Sequence, residues 1–184
     1  MTGPSNSVNL SDLAANLRLL LLDVDGVLTD GGIILIGDSE EAKRFDVHDG
    51  MGVNLARAAG LKVGIVTSRE SAVVKRRATE LKIDDLFQGI ENKPEVLDLI
   101  LGKYGIRADQ TAFIGDDIQD ISIMKRVGIP IAVQNAAQLV KDHSLYITES
   151  SGGHGAVREA VEWLLDARGG KDKLLEPFLN GGDS

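Results

Sequence analysis

An α/β fold with a doubly wound, mostly parallel sheet is what this sequence predicts, and three observations predict it. Apolar, β-rich runs alternate along the chain with segments whose apolar residues recur at spacings of three and four. One section breaks that rhythm and reads as two short strands around a turn. The 184 residues, 43% apolar and 26% charged, suit one globular domain with a sizeable core.

Taken in order, Leu19–Leu22 is a short apolar run that ends at Asp23, the pattern of a buried strand. Gly32–Ile36, then Gly37-Asp38-Ser39-Glu40-Glu41, then Ala42–Val47 form the predicted hairpin insertion. Gly52–Ala59 carries helical spacing and leads into a strand over Leu61–Thr67. Ser71 stands near the start of a helix that runs to Leu81, and Pro94 near the start of one that runs to Tyr104. Strands at Thr111–Gly115, Ile129–Val133 and Leu145–Ile147 alternate with helices at Ile118–Val127 and Val157–Ala167. The whole is a Rossmann-like arrangement: residues 1–168 form a single domain. Residues 169–184, rich in Gly, Lys and Asp around Leu174-Leu175 and Pro177-Phe178, read as a flexible C-terminal tail whose apolar residues could dock on a neighbouring subunit.

Charge and composition narrow the function. A formal net charge of -8 argues against sequence-independent binding to nucleic acid or to anionic membranes, which needs a basic surface. With no cysteine there is no disulfide and no thiolate chemistry, and three His make structural zinc improbable. No apolar stretch approaches the roughly 20 residues of a membrane span. Met1–Ser7 lacks the cationic and apolar segments of a secretory signal, so cytoplasmic residence is the expectation.

The most informative residues are Asp23 and Asp25, in Asp-Val-Asp-Gly-Val-Leu-Thr-Asp-Gly-Gly. A strand repeats its face every two residues, so both carboxylates project to the same side. At about 4 Å they repel by roughly 4 kcal/mol at an effective dielectric near 20. A hard cation or a shared proton would offset that, or both acids cap the following turn. Polar residues recur where other strands end: Thr67-Ser68-Arg69, then Lys93 beside Pro94, then Asp116-Asp117 and Asp120. Ligands of open parallel sheets gather at such strand ends. Asp117 and Asp120 also suit the N-terminus of a helix.

The ordered set Asp23-x-Asp25, Thr67, Lys93 and Asp116 resembles the haloacid dehalogenase superfamily. Within it the chain is most similar to the 3-deoxy-D-manno-octulosonate 8-phosphate phosphatases and their sialic-acid-pathway relatives. Phe45-Asp46-Val47-His48-Asp49-Gly50, Ile65–Arg69, Leu86–Gly89, Gly115–Asp117 and Gly152–Glu159 carry the similarity. The resemblance implies Mg²⁺-dependent phosphomonoester hydrolysis through an aspartyl phosphate, with Asp23 as nucleophile and Asp25 as general acid and base. It implies that Asp23, the main-chain carbonyl of Asp25 and Asp116 hold the ion, and that Thr67 and Lys93 contact the phosphoryl oxygens. Asp117 and Asp120 orient Lys93 or the ion's waters, or cap the helix. Ser68, Arg69, His48 and His154 belong on the substrate side by the same comparison. His48 and His154 stand where relatives often carry Arg, and could equally be structural; Arg158 is either an anion contact or a partner of Glu159 or Glu162.

Larger members of the superfamily insert a cap domain, for which Gly26–Lys62 has no room once it holds a hairpin and a helix. The resemblance instead implies a homotetramer in which hairpins associate and neighbouring subunits cover a small sugar phosphate. An eight-carbon sugar acid phosphate is the expected substrate, in lipopolysaccharide biosynthesis, with a nine-carbon one as the alternative. A phospho-receiver and a silent regulatory module are the non-enzymatic alternatives. A receiver carries its phosphorylated Asp on a later strand without an acid two residues on, and a silent module needs none of the five site residues.

Overall fold

The computed structural model describes residues 10–37 and 40–179; Asp38 and Ser39 of the expected turn and residues 180–184 of the expected tail lie outside the described residues. Leu19–Leu22 (β1) is buried at every position and lies between Lys62–Val66 (β4) and Thr111–Gly115 (β6), parallel to both, with Leu22 registered to Ile65 and to Ile114. Asp85–Phe87 (β5) extends the sheet beyond β4, and Ile129–Ala132 (β7) and Tyr146–Ile147 (β8) extend it beyond β6. The order is β5-β4-β1-β6-β7-β8, every pair parallel. The chain therefore winds outward in one direction from β1, returns, and winds outward in the other, as the doubly wound expectation requires.

Helices Val47–Ala58 (α2), Ala72–Glu80 (α3), Lys93–Tyr104 (α4) and Ala156–Arg168 (α7) are the longer connections, with short pieces at Ile121–Met124 (α5) and Gln138–Lys141 (α6). Ser71 caps α3 by accepting from the Val74 amide, as expected of a serine at a helix start. Two further segments carry no strong periodicity and were not expected: Leu10–Asn16 (α1), which buries Ala14 and packs on α7, and β5. At three residues β5 is too short for a pattern; Lys103 Nζ and Tyr104 Oη, each 2.6 Å from an Asp85 oxygen, tie it to α4.

α2 starts at Val47, five residues before the expected Gly52. Asp46 caps it, accepting from the His48 amide at 2.7 Å, and overrides the weak helical pattern of Val47–Met51. The N-terminus of α7 follows Gly155, which has no capping side chain; the buried Asp49 of α2 supplies one, accepting from Gly155 N at 3.2 Å and Arg158 N at 3.0 Å. The two helices meet so closely that a Cβ on Gly52 would come 2.7 Å from Arg158 Cα. Thus Phe45–Gly50 and Gly152–Glu159 form one structural clamp.

The hairpin is Ile34–Ile36 (β2) against Glu40–Ala42 (β3), with an antiparallel bridge from Thr29 to Phe45 at its base. Its strands are shorter than expected. Ile33, Ile34, Leu35 and Ile36 are all exposed, Leu35 at 75%. Instead of leaving the body as a tail, Lys171–Leu179 is helical (α8), and Leu174 and Leu175 pack against the core. Among the described residues no helix is long and apolar enough to cross a membrane.

Candidate active site

In this strand order the winding reverses between β1 and β6, and the crevice at their carboxyl ends is where a doubly wound sheet binds ligands. Asp23 leaves β1 there. Its amide donates to Ile114 O at 3.0 Å, its Oδ1 accepts from Val24 N at 2.7 Å, and its Oδ2 lies 3.1 Å from Lys93 Nζ. Lys93, the first residue of α4, is only 1% exposed. A buried ammonium needs partners, and its second is Asp120 Oδ1 at 2.6 Å.

Asp120 also resolves the acidic loop after β6. Its Oδ2 accepts from Asp116 N at 3.0 Å and Asp117 N at 3.3 Å, so one fully buried carboxylate fixes both Lys93 and the loop that presents Asp116. Asp117 instead caps the short helical turn Ile118–Asp120, accepting from Ile118 N at 2.7 Å.

The electrostatics call for a cation. Ligand atoms of Asp23, Asp116 and Asp120 all lie within 4.8 Å of one another. Burial, then Asp120, push the Asp23 carboxyl up to about 6 against the opposing pull of Lys93. Burial, then Asp23, Asp120 and Asp117, push Asp116 up to about 8. Lys93 stays raised because Asp23 and Asp120 outweigh its burial. Three carboxylates against one ammonium leave two negative charges, which a divalent cation balances. Asp116 Oδ1 is buried with no hydrogen-bond partner, an orphan that a metal ligand would not be. All-oxygen donors suit a hard ion. Asp120 is the most heavily engaged of the three, with Lys93 on one oxygen and two amides on the other; Asp23 takes one bond on each oxygen, and Asp116 Oδ1 is the open donor. Gly26 adopts φ +88°, and a Cβ there would collide with the Asp116 carboxylate; the turn that follows Asp25 requires glycine.

The Asp25 side chain does not join this cluster. It pairs with Lys43 through Oδ1 and stands 3.5 Å from Arg69 Nε through Oδ2. Arg69 Nη2 in turn lies 3.2 Å from Glu41 Oε2, and Lys43 4.0 Å from the same oxygen. Lys43 and Glu41 flank Ala42 at the end of β3 and went unnoticed in the sequence, since a lone Lys in a charged hairpin reads as solvated.

Thr67 is buried at the end of β4, two residues past the Leu22–Ile65 pair, its amide bonded to Phe87 O at 3.0 Å. Ser68 Oγ donates to Gln119 Oε1 at 3.0 Å, linking the loops after β4 and β6. Both histidines lie at the surface, each with a partner of its own. His48 is exposed, with Nδ1 3.1 Å from Asp46 Oδ1 in the first turn of α2. His154 is exposed beneath Arg44, whose Nη2 lies 2.9 Å from His154 Nδ1 and donates to Gly153 O at 3.2 Å. Arg158 Nε pairs with Glu162, the helix-surface reading of that residue.

Comparison with known proteins bears on the family. Residues 88–160 match the haloacid dehalogenase-like hydrolase family model. The chain is 40% identical over 167 residues to 3-deoxy-D-manno-octulosonate 8-phosphate phosphatase KdsC of Escherichia coli (strain B / BL21-DE3), covering 91% of this chain and 89% of that one. The crystal structure of the Moraxella catarrhalis 3-deoxy-D-manno-octulosonate 8-phosphate phosphatase, in complex with magnesium ion, phosphate ion and KDO, is similar at a TM-score of 0.88 and 38% identity, over 92% of this chain and 97% of that chain. That of the Yersinia pestis phosphatase is similar at a TM-score of 0.85 and 38% identity, over 91% and 89%.

Proposed function

The chain belongs to the 3-deoxy-D-manno-octulosonate 8-phosphate phosphatase family of haloacid dehalogenase-like hydrolases, enzymes that hydrolyse phosphoric monoesters, and on that premise we propose that it is a Mg²⁺-dependent phosphatase of 3-deoxy-D-manno-octulosonate 8-phosphate. The observation that carries the mechanism is the meeting of Asp23, Lys93 and Asp116 in the crevice between β1 and β6. In this reading Asp23, the main-chain carbonyl of Asp25 and Asp116 would hold Mg²⁺, which would offset the charge of the carboxylates and of the incoming phosphate.

Asp23 attacks phosphorus with one carboxylate oxygen. The bond from phosphorus to the sugar oxygen breaks, and that oxygen takes a proton from Asp25 as it leaves. Water then gives its proton to Asp25 and attacks phosphorus, and the bond to Asp23 breaks, releasing inorganic phosphate and restoring both carboxyls. Lys93 stabilises charge on the phosphoryl oxygens from its fixed place, with the Thr67 hydroxyl on the neighbouring strand. Arg69, partly exposed beside Asp25, is the cation that faces the sugar side.

The exposed apolar hairpin supports association of hairpins between copies of the chain; that the assembly is a cytoplasmic homotetramer whose neighbours cover the site rests on the family resemblance. A two-stranded hairpin is marginal alone, and Ile33–Ile36 presents the kind of patch that a second copy buries.

Phosphate release from eight-carbon and nine-carbon ketodeoxy sugar acid phosphates, hexose phosphates and nucleotides, with and without Mg²⁺, tests the proposal. The expected result is Mg²⁺-dependent release with the eight-carbon acid preferred. A preference for the nine-carbon acid shifts the assignment to that substrate, consistent with His48 and His154 standing where relatives often carry Arg. Hexose phosphates turned over as well as either sugar acid would overturn the substrate assignment.

A further inference from the structure

We propose that Lys43, brought in on the hairpin and braced by Glu41, is a positioning residue for Asp25, a role that rests on the phosphatase reading above. Four alternating charges close a ring: Lys43 pairs with Asp25, Asp25 with Arg69 at 3.5 Å, Arg69 with Glu41 at 3.2 Å, and Glu41 with Lys43 at 4.0 Å. The ring joins three separate pieces of chain: the turn after β1, the end of β3 and the loop before α3.

The two cations are not equivalent. The Lys43 side chain is 1% exposed, whereas that of Arg69 is 44% exposed and free to exchange a protein partner for a ligand. An ammonium removed from water costs several kcal/mol unless paired, so the Lys43 site exists only with its anions in place. Glu41 is itself held, its Oε2 lying 3.2 Å from Arg69 Nη2, and Ser71, Lys43 and Arg69 beside it keep its carboxyl below the ordinary value.

Without Lys43, Asp25 keeps only the 3.5 Å contact with the partly exposed Arg69, which leaves its side chain room to turn among its staggered wells. Asp23 is held by other groups, the Val24 amide and Lys93, so the two carboxylates are oriented independently. Lys43 thus sets the group that serves the leaving oxygen and leaves the attacking one alone. Displacing a reacting group by about 1 Å costs on the order of 100-fold in rate.

The test is Lys43→Met and Lys43→Arg, assayed with 3-deoxy-D-manno-octulosonate 8-phosphate and with p-nitrophenyl phosphate, whose leaving group departs without a proton. For Lys43→Met with the sugar phosphate, kcat falls about 100-fold while KM stays within about threefold. The first-turnover release of p-nitrophenol stays within about fivefold of the unsubstituted protein, because Asp23 and Lys93 are untouched. Lys43→Arg recovers most of the lost kcat. A Lys43→Met protein that keeps kcat within about threefold overturns the proposal. So does an equal loss on both substrates, which marks a merely structural role. Failure of the unsubstituted protein to hydrolyse the sugar phosphate is a separate result and overturns the phosphatase reading itself.

Discussion

Asp120→Asn tests the electrostatic logic of the site without changing its volume. Three donors converge on the Asp120 carboxylate: Lys93 Nζ at 2.6 Å on one oxygen, and the amides of Asp116 and Asp117 at 3.0 and 3.3 Å on the other. Asparagine offers one acceptor, so its NH₂ must face either the ammonium or the two amides. The first choice removes a charge-assisted bond worth about 1.5–3 kcal/mol, and the second removes the charge-assisted bonds of two part-buried amides at similar cost. Removing the negative charge also relieves repulsion on Asp23 and Asp116, whose carboxyls Asp120 helps push up. That relief matters only without the cation, where burial and mutual repulsion raise both carboxyls. With Mg²⁺ bound that repulsion is offset, and the full loss of about 2–3 kcal/mol shows, lowering Tm by about 4–12 °C. In EDTA the loss shrinks towards zero. Trp163, the only tryptophan, stacks on Tyr146 with centroids 4.2 Å apart and reports urea unfolding by fluorescence. A loss below about 0.5 kcal/mol in Mg²⁺, or a larger loss in EDTA than in Mg²⁺, would falsify this reasoning.

Gly26→Ala strains a φ of +88° and drives the Asp116 carboxylate aside, so it lowers kcat by at least about 100-fold and stability by about 1–3 kcal/mol; activity close to that of the unsubstituted protein would contradict the placement of Asp116. Glu159 on α7 is raised by burial, but bonds from the Ser150 hydroxyl, the amides of Glu149 and Ser150, and the Tyr146 hydroxyl outweigh it and hold the carboxyl below its ordinary value. Its contribution is therefore present above that ordinary value and lost as pH falls through the lower folded one. Glu159→Gln costs about 1 kcal/mol at pH 7 and nothing once both forms are protonated; a gap between the two proteins that stays constant into acid refutes this. Leu35→Glu places a charge on the exposed hairpin and converts the assembly to smaller species by light scattering, whereas an unsubstituted protein already at the mass of one chain refutes hairpin association.

Most of the sheet was legible in the sequence because buried parallel strands are continuous apolar runs, and Leu19–Leu22 and Thr111–Gly115 appear with the bounds expected. What escaped was set by tertiary contacts. Asp85–Phe87 is a strand because β4 pairs with it and α4 anchors Asp85. Residues 47–51 are helical because Asp46 caps them, and the segment expected to trail away is helical, with Leu174 and Leu175 on the core. The candidate site divides the same way. Asp23, Asp116 and Lys93 each have a capping or solvated alternative when read alone, and only their order along the chain, which resembles the superfamily's, singles them out. Two duties expected only as alternatives separated once the bonds were visible: Asp120 holds Lys93, and Asp117 caps a turn. Lys43 and Glu41 had no sequence signal, because the burial of a hairpin Lys depends on a carboxylate 18 residues earlier. Asp49 illustrates the converse: inside a motif segment quoted for its resemblance, it acts as a structural clamp between α2 and α7, accepting from the amides of Gly155 and Arg158.

The central claim is that Asp23 carries the phosphoryl group. Acid quenching during turnover of 3-deoxy-D-manno-octulosonate 8-phosphate in Mg²⁺, followed by borohydride reduction and peptide mass spectrometry, tests it directly, because an acyl phosphate is reduced to an alcohol while a free carboxyl is not. The account predicts the reduced side chain at Asp23, only when substrate and Mg²⁺ are both present. Reduction at Asp25 or Asp116 instead, or active turnover with Asp23 unmodified at every quench time, would contradict it.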